Sequence, residues 1–374
     1  MKIAIIGGGA AGLMCACLMS SGHSVTLFEK NESVGKKLLL TGNGRCNLTN
    51  LTTPGAFLKS VPNGNEFLSP AIHSFTPNDT IKFFEEIGIQ TRVEDKNRIF
   101  PTTGGAMAIK KALENLAESR GVKFMLYSNV TNITKAQSCY ELSILNENYI
   151  FDAIIIATGG MSFPTTGSTG DGFVFAETFG HKIIPVRPSL CGLRFETSTG
   201  FQGISIECTV TLDDIKETGS MMFTKNGVSG PVIFKLSSML KGQSVAGKEI
   251  VIDFVPHIDK PTFDSKDKPF FAFRKYLPQN VANWLVARGD KPTSIKKIRI
   301  PIKDFEPIET ATITRGGVDL HEINPENMES KLNKDMFFIG EVLNIDALSG
   351  GFNLQIAFST AHACAKYLNE LYHA

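Results

Sequence analysis

Apolar and polar positions fall into blocks along this chain, and the blocks carry two different periods. Ile3 to Ile6 form a short apolar run that Gly7-Gly8-Gly9 ends abruptly. A run of that length, bounded by a turn signal, predicts a strand buried on both faces. Gly12–Ser20 reads as a helix of small and apolar residues, and His23–Lys30 as a second strand with an acid near its end. Residues 33–50 are rich in glycine and basic residues and show no period. Thr76–Gly88 starts with threonine before proline and stops at glycine, the signals of a capped helix. Thr103–Gly121 repeats that pattern over a longer stretch, Lys123–Tyr127 and Tyr140–Leu145 read as strands, and Phe151–Gly160 is another buried strand delivering glycines.

After Pro185 the period changes. Ile204–Leu212 alternates with a period of two, as do Glu249–Val255 and Ile295–Ile302, which predicts half-buried antiparallel strands. Asp259–Phe270 is a polar, proline-bearing connector, and Phe337–Leu371 returns to strand, glycine turn and helix. The order predicts an α/β fold: a Rossmann-type domain assembled from residues 1–186 and 311–374, interrupted by a β-rich insertion at 187–310.

Composition narrows the class. The apolar run near the start breaks after four residues, whereas a secretory signal needs roughly 7–15. No later stretch approaches the roughly 18 apolar residues of a membrane helix. The expectation is a cytoplasmic protein with no membrane partner. Thirty-eight Lys and Arg against 37 Asp and Glu give a net charge of +1, with the two signs interspersed. That balance argues against nucleic acid as the main partner, since such domains are strongly basic. The seven cysteines include no C-x-x-C pair and no Cys/His cluster at zinc spacing, so reduced thiols and no metal are expected. The sequence is silent on oligomeric state.

Candidate chemistry starts at the glycines. Gly7, Gly9 and Gly12 make G-x-G-x-x-G between a strand and a helix. The first permits a tight turn, the second lets a pyrophosphate approach the backbone, and the third lets helix pack on strand. The anion then sits at the positive end of a helix, against the amides of Ala10 and Ala11. Glu29 follows Gly7 by 22 positions, where about 20 is expected for an acid that binds the adenosine ribose. A carboxylate there would repel the 2′-phosphate of NADP. The segment Val34–Asn50 could lay further N–H groups along the cofactor, or it could be a plain solvated loop. Near the end, a strand delivers Gly340-Glu341, Asp346 is placed for a ribityl hydroxyl, and Gly350-Gly351 open a helix. Such a helix start can stabilise negative charge developing on a reduced flavin.

These segments together resemble a known group. The chain is similar to the bacterial FAD flavoproteins that include aminoacetone oxidase and the 3-dehydro-bile-acid reductases, of the two-dinucleotide-binding-domain type. The match rests on GKKLLLTGNGRCNLTN, RIFPTTGGAMAI, ATGGMSFPTTGSTGDGF, FTKNGVSGP, TRGGV, MESK and GEVLNIDALSGGFNLQIA. The resemblance implies an FAD-binding Rossmann-type domain, an inserted β-barrel-like domain and a helical subdomain. It implies FAD contacts at Gly7–Gly12, Glu29, Lys30, Lys36, Lys37, Gly42, Asn43, Gly44, Arg45, Cys46, Asn47, Val130, Thr158, Gly159, Asp346, Gly351, Phe352, Asn353 and Leu354. Lys225 stands where the group usually has histidine, and the stretch from Pro231 to Arg315 is shorter than usual. The helical subdomain is therefore expected to shrink to about residues 270–290, and substrate choice is not inherited.

The expected activity is hydride transfer through bound flavin, reducing an enone-like small molecule with NAD(P)H as a transient co-substrate. The alternatives are an oxidase of a small aminoketone using O₂, an FAD-binding RNA-modifying or redox-sensing protein, and an FAD-free nucleotide-binding module. Arg45, Cys46 and Asn47 are the candidates for groups near the ring, with Lys225 on the substrate side. Free cysteine is most often a packed small residue, so Cys46 carries both readings.

Overall fold

The computed structural model describes residues 1–136 and 138–373. They divide into two units, Met1–Arg187 with Ile313–Ala374, and Pro188–Thr312.

The first unit is built on a five-stranded parallel sheet. Its order is Met336–Phe338, Ala153–Ile156, Lys2–Ile6, Ser24–Phe28, Lys123–Met125. Ile3 to Ile6 pair in register with Ala153 to Ile156 on one side, and Lys2 to Ile6 with Ser24 to Phe28 on the other. Ile3, Ala4 and Ile5 have no exposed surface. Both faces of this central strand are therefore covered, which is why its sequence is a continuous apolar run rather than an alternation. The helix Ala10–Leu18 packs against the helix Gly105–Ser119 and the C-terminal helix Gly350–His373. An antiparallel meander of Val130–Ala136, Cys139–Ile144 and Glu147–Phe151 packs on the sheet through Phe28, whose ring meets Phe151 edge-on at 5.6 Å.

In a parallel sheet every strand ends at the same edge. Ile6 runs into Gly7, Phe28 into Glu29, Ile156 into Ala157-Thr158-Gly159, and Phe338 into Ile339-Gly340. The topology alone thus gathers the sequence-predicted motifs on one rim, where open α/β sheets bind ligands.

The second unit is a closed antiparallel barrel of six strands: Leu193–Phe195, Gly227–Ser229, Ile215–Thr224, Ser205–Leu212, Glu249–Asp253 and Ile298–Phe305. Its core holds Val210, Phe223, Ile250, Ile252 and Ile300, each essentially without exposed surface. Trp284 packs there with Phe223 and Phe195, at 5.6 and 6.2 Å between ring centroids. The helical part of this unit includes Pro231–Met239 and two short helices, Pro269–Arg274 and Gln279–Ala287. Among the described residues, no helix is long and apolar enough to cross a membrane, and no group of three or more His, Cys, Asp and Glu could hold a metal ion.

Candidate functional site

The glycine turn is held from three sides. Gly7 adopts φ of 105°, and a Cβ there would meet Ala157 O at 2.6 Å. Gly12 is closed in by the carbonyl of Gly7. The Gly8 N–H donates to Glu29 Oε2 at 3.0 Å, and the other carboxylate oxygen of Glu29 accepts from the backbone and side-chain N–H groups of Asn31. Glu29 is thus fixed at its strand end with two oxygens presented in one orientation. Ser128 N–H donates to the Glu29 carbonyl at 2.9 Å, which sets Val130 close by. Gly9 differs from its neighbours: a Cβ on it would meet nothing within 4 Å. Gly9 is also the N-cap of the helix Ala10–Leu18, with no side-chain cap. The unpaired N–H groups of that first turn, Ala10 and Ala11 included, are left for an anion.

A second helix start lies beside the first. A Cβ on Gly340 would meet Ala11 Cβ at 2.8 Å and Ala357 Cβ at 3.9 Å. Further along, the Asn369 amide bonds Ser20 N–H and the Leu18 carbonyl, both at 2.9 Å. Residue pairing in that order makes the first and last helices parallel. Counted from the Ala11 and Ala357 contact at Gly340, the C-terminal helix begins about six residues earlier than the first, ~9 Å by helical rise. Two positive helix ends therefore face the same way, staggered along one line. Gly350 opens onto free space as Gly9 does. Gly351 is the reverse: a Cβ there would collide with the Asn47 amide and lie 2.5 Å from Asn50 Oδ1. Asn353 holds the turn together, accepting from Ala347 N–H at 3.1 Å and donating to Ser349 O at 2.8 Å. Leu354 is buried beneath, and Phe352 packs edge-on against Phe57 at 5.0 Å.

The loop 35–50 bridges the two ends. Gly42, Asn43, Gly44 and Cys46 all have positive φ, and the loop closes on itself: the N–H groups of Gly44 and Cys46 donate to Thr41 O at 3.1 and 2.9 Å, and that of Arg45 to Gly42 O at 3.2 Å. Gly44 O accepts from Ala106 N–H at 2.8 Å, so the RIFPTTGGAMAI segment braces the loop. Lys37 reaches Glu341 Oε2 at 2.8 Å and Ser162 Oγ at 2.6 Å. Glu341 Oε1 accepts from Thr314 N–H at 2.7 Å, and Thr314 Oγ1 accepts from Met161 and Ser162 N–H groups. Four segments far apart in sequence are stitched at this cluster.

The lysines expected at the cofactor are engaged with carboxylates. Lys30 pairs with Asp171 at 2.6 Å, Lys36 with Glu32 at 3.1 Å, and Lys37 with Glu341. Asp346 is fully buried and accepts from Arg315 Nε at 2.7 Å, which makes it an anchor of the turn before Gly350. Thr158 is packed against Gly172, and Gly159 sits at φ of 74° with a hypothetical Cβ at 3.4 Å from Ser168 Oγ. Arg45 is half-exposed, 4.3 Å over the Phe100 ring and 2.9 Å from Glu94. Cys46 is buried, and desolvation pushes its thiol up to about 11. A sulfur so disfavoured as thiolate is a packing group rather than a nucleophile. The Asn47 amide, in its satisfied orientation, donates to Ile99 O and Thr49 O. Lys225 belongs to the barrel unit, exposed in the turn after Ile215–Thr224, and its carbonyl anchors Ser198 and Thr199. Sequence reasoning missed Ser162, Thr314, Arg315 and Asn50. Each lay inside or beside a quoted motif, but only the fold shows which carboxylate, amide or glycine each one meets.

The residues present fit a flavin dinucleotide. A Cβ on Gly9 or Gly350 would meet nothing within 4 Å, so there is room beside both helix starts, while Gly7, Gly12 and Gly351 are closed by protein atoms. Asn50 Oδ1 and Ser349 Oγ, beside the second helix start, are buried without a hydrogen-bond partner, as groups awaiting a polar ring edge would be.

Comparison with known proteins agrees. The family described as the HI0933-like protein Rossmann domain matches residues 1–367. A ribosomal RNA dihydrouridine synthase of Haemophilus influenzae is 31% identical, covering 96% of both chains. A 3-dehydro-bile acid delta(4,6)-reductase of Clostridium scindens is 27% identical, covering 99% of both. The structure of 3-ketosteroid delta1-dehydrogenase from Sterolibacterium denitrificans superposes with a TM-score of 0.56 at 11% identity, over 99% of each chain, and so shares the fold. With its paired helix starts and its glycine turn, the chain belongs to the HI0933-like family of FAD-binding Rossmann proteins and is a flavin-dependent oxidoreductase.

Proposed function

We propose that this protein saturates the C5=C6 bond of a uridine in ribosomal RNA, forming dihydrouridine. The observation that carries the reading is the full-length similarity to a ribosomal RNA dihydrouridine synthase, set on a first unit whose two helix starts suit a flavin. That double bond is conjugated to the C4 carbonyl, so it accepts a hydride at C6 and a proton at C5. When bound, FAD supplies the hydride and is recharged by an external donor, proposed to be NAD(P)H docking transiently. The chain's own part is positional. The amides at Ala10–Gly12 hold the diphosphate, Glu29 orients the ribose, and the Gly350 helix start favours negative charge at the ring.

A second reading, reduction of a small enone such as a steroid ketone, is favoured by the similarity to the bile acid reductase. Both are reductions of a carbon–carbon double bond activated by a carbonyl. The test is to incubate flavin-loaded protein with NADH or NADPH and either unmodified ribosomal RNA or a 3-keto-4-ene steroid. Mass spectrometry of nucleosides should reveal uridine carrying two added hydrogens. Unchanged RNA together with a reduced steroid would replace the first reading by the second.

A further inference from the structure

The near-neutral total conceals a local excess of charge. Residues 266–303 contain ten Lys and Arg but two acids, leaving the remainder of the chain net acidic. Within that stretch the short helix Pro269–Arg274 carries an unusual aromatic. Phe273 is fully buried and anchors the helix in the barrel core, while Phe271 is 60% exposed. Phe270, half-buried, meets the Phe271 ring edge-on at 5.3 Å and steadies it. An exposed apolar residue alone needs no explanation. What distinguishes Phe271 is its company. Lys268 is the residue that caps the helix, three positions before Phe271, while Arg274 lies three after and Lys275 four after, spacings that share one helix face with Phe271. All three cations are exposed. Lys275 is paired with Asp267 at 2.6 Å, whereas Lys268 has no ion pair among the described residues. The turn Pro292–Ser294 packs on the same helix and adds exposed Lys291 at its edge.

We infer that Phe271, flanked by Lys268, Arg274 and Lys275, is a docking platform for single-stranded RNA, one unpaired base stacking on the ring while the cations meet adjacent phosphates. An aromatic face set among cations is what sequence-tolerant single-strand binding requires. The inference rests on the RNA reading of the substrate and adds where the strand is gripped, on the barrel unit itself.

The test is fluorescence anisotropy of flavin-loaded, full-length protein on a labelled uridine-rich single-stranded RNA over a salt series. Phe271→Ala should weaken binding about tenfold, and Phe271→Trp should restore it. Lys268→Gln with Arg274→Gln should flatten the salt dependence by about 0.7 log units for each phosphate no longer neutralised. Flavin content and circular dichroism verify that each variant is folded. RNA binding indifferent to Phe271 would overturn the platform, as would Phe271-dependent binding to phosphatidylserine vesicles without RNA binding. Uridine saturation measured in parallel separates the two ideas. Reduced ribosomal RNA with Phe271-independent binding sinks the platform alone, and Phe271-dependent binding with unreduced RNA sinks the substrate reading alone.

Discussion

Single side chains at the cradle divide into those that shape it and those that are merely near it. Gly7 shapes it, because a Cβ would strike the carbonyl of Ala157 while the backbone stands at a φ that side chains resist. Gly7→Ala should cost about 1–3 kcal/mol and release the flavin, measurable as lost yellow absorbance on gel filtration. Asp346 is a different case. Asp346→Asn would leave the Arg315 guanidinium buried against a neutral partner, and should lower stability by about 3–5 kcal/mol in urea titration. Cys46 is near without being chemical: Cys46→Ala should keep its turnover, and the parent thiol should resist iodoacetamide at pH 8 because burial raises its pKa. His181 makes the point most sharply. It bonds Glu322 at 3.1 Å and Ser330 Oγ at 2.8 Å, an order of groups seen in hydrolases, but its side chain has no exposure. Burial lowers its pKa below the usual histidine value, and does the same for His362, which stacks on Phe75. Protonation therefore favours the unfolded chain. The stability these two contribute is complete above about pH 6.5 and is lost as pH falls below it. Melting temperature should drop on acidification through that range, and less steeply in His181→Gln/His362→Gln.

At the level of elements, the pattern of apolar positions foretold the sheet better than it foretold the loops between strands. Ile3–Ile6 and Ala153–Ile156 were legible because burial on both faces leaves no polar position to confuse the period. Thr76–Gly88 was legible through its cap, and the structure has Thr76 and Asp79 bonding reciprocally before the helix Pro77–Glu86. Thr76→Ala should cost about 1 kcal/mol by thermal melting. The helices Pro54–Leu58 and Asn65–Ser74 were not expected, since one is five residues long and the other carries Pro70 inside it. The first helix also starts at Ala10, two residues ahead of the Gly12 start expected from sequence. Glycine there is tolerated because the helix must press against the turn it has just left. The reduced helical region resolves into two short helices, Pro269–Arg274 and Gln279–Ala287.

For the whole molecule, the average charge hides how the charge is distributed. A net charge of +1 described neither the basic 266–303 stretch nor its acidic complement. The glycine turn after Lys2–Ile6 was readable because backbone geometry requires glycines at fixed spacing. The convergence of Lys37, Ser162, Thr314 and Glu341 was not, since no spacing rule joins positions so far apart. Each unit has its own hydrophobic core. Residues 188–312 expressed alone should therefore fold, showing a cooperative melt that FAD leaves unmoved. The full chain with FAD at a hundredfold excess over its dissociation constant should gain about 2.7 kcal/mol, detected as hydrogen-exchange protection confined to 1–187 and 313–374.

The pairing of the first helix with the last has a consequence for biosynthesis. Synthesis runs from the N-terminal side, so the glycine turn emerges long before its partner helix Gly350–His373. The barrel can mature in that interval, but vitamin capture must await the helix Gly350–His373. A nonsense mutation between residues 313 and 349 should yield a folded barrel on a colourless, protease-sensitive remnant.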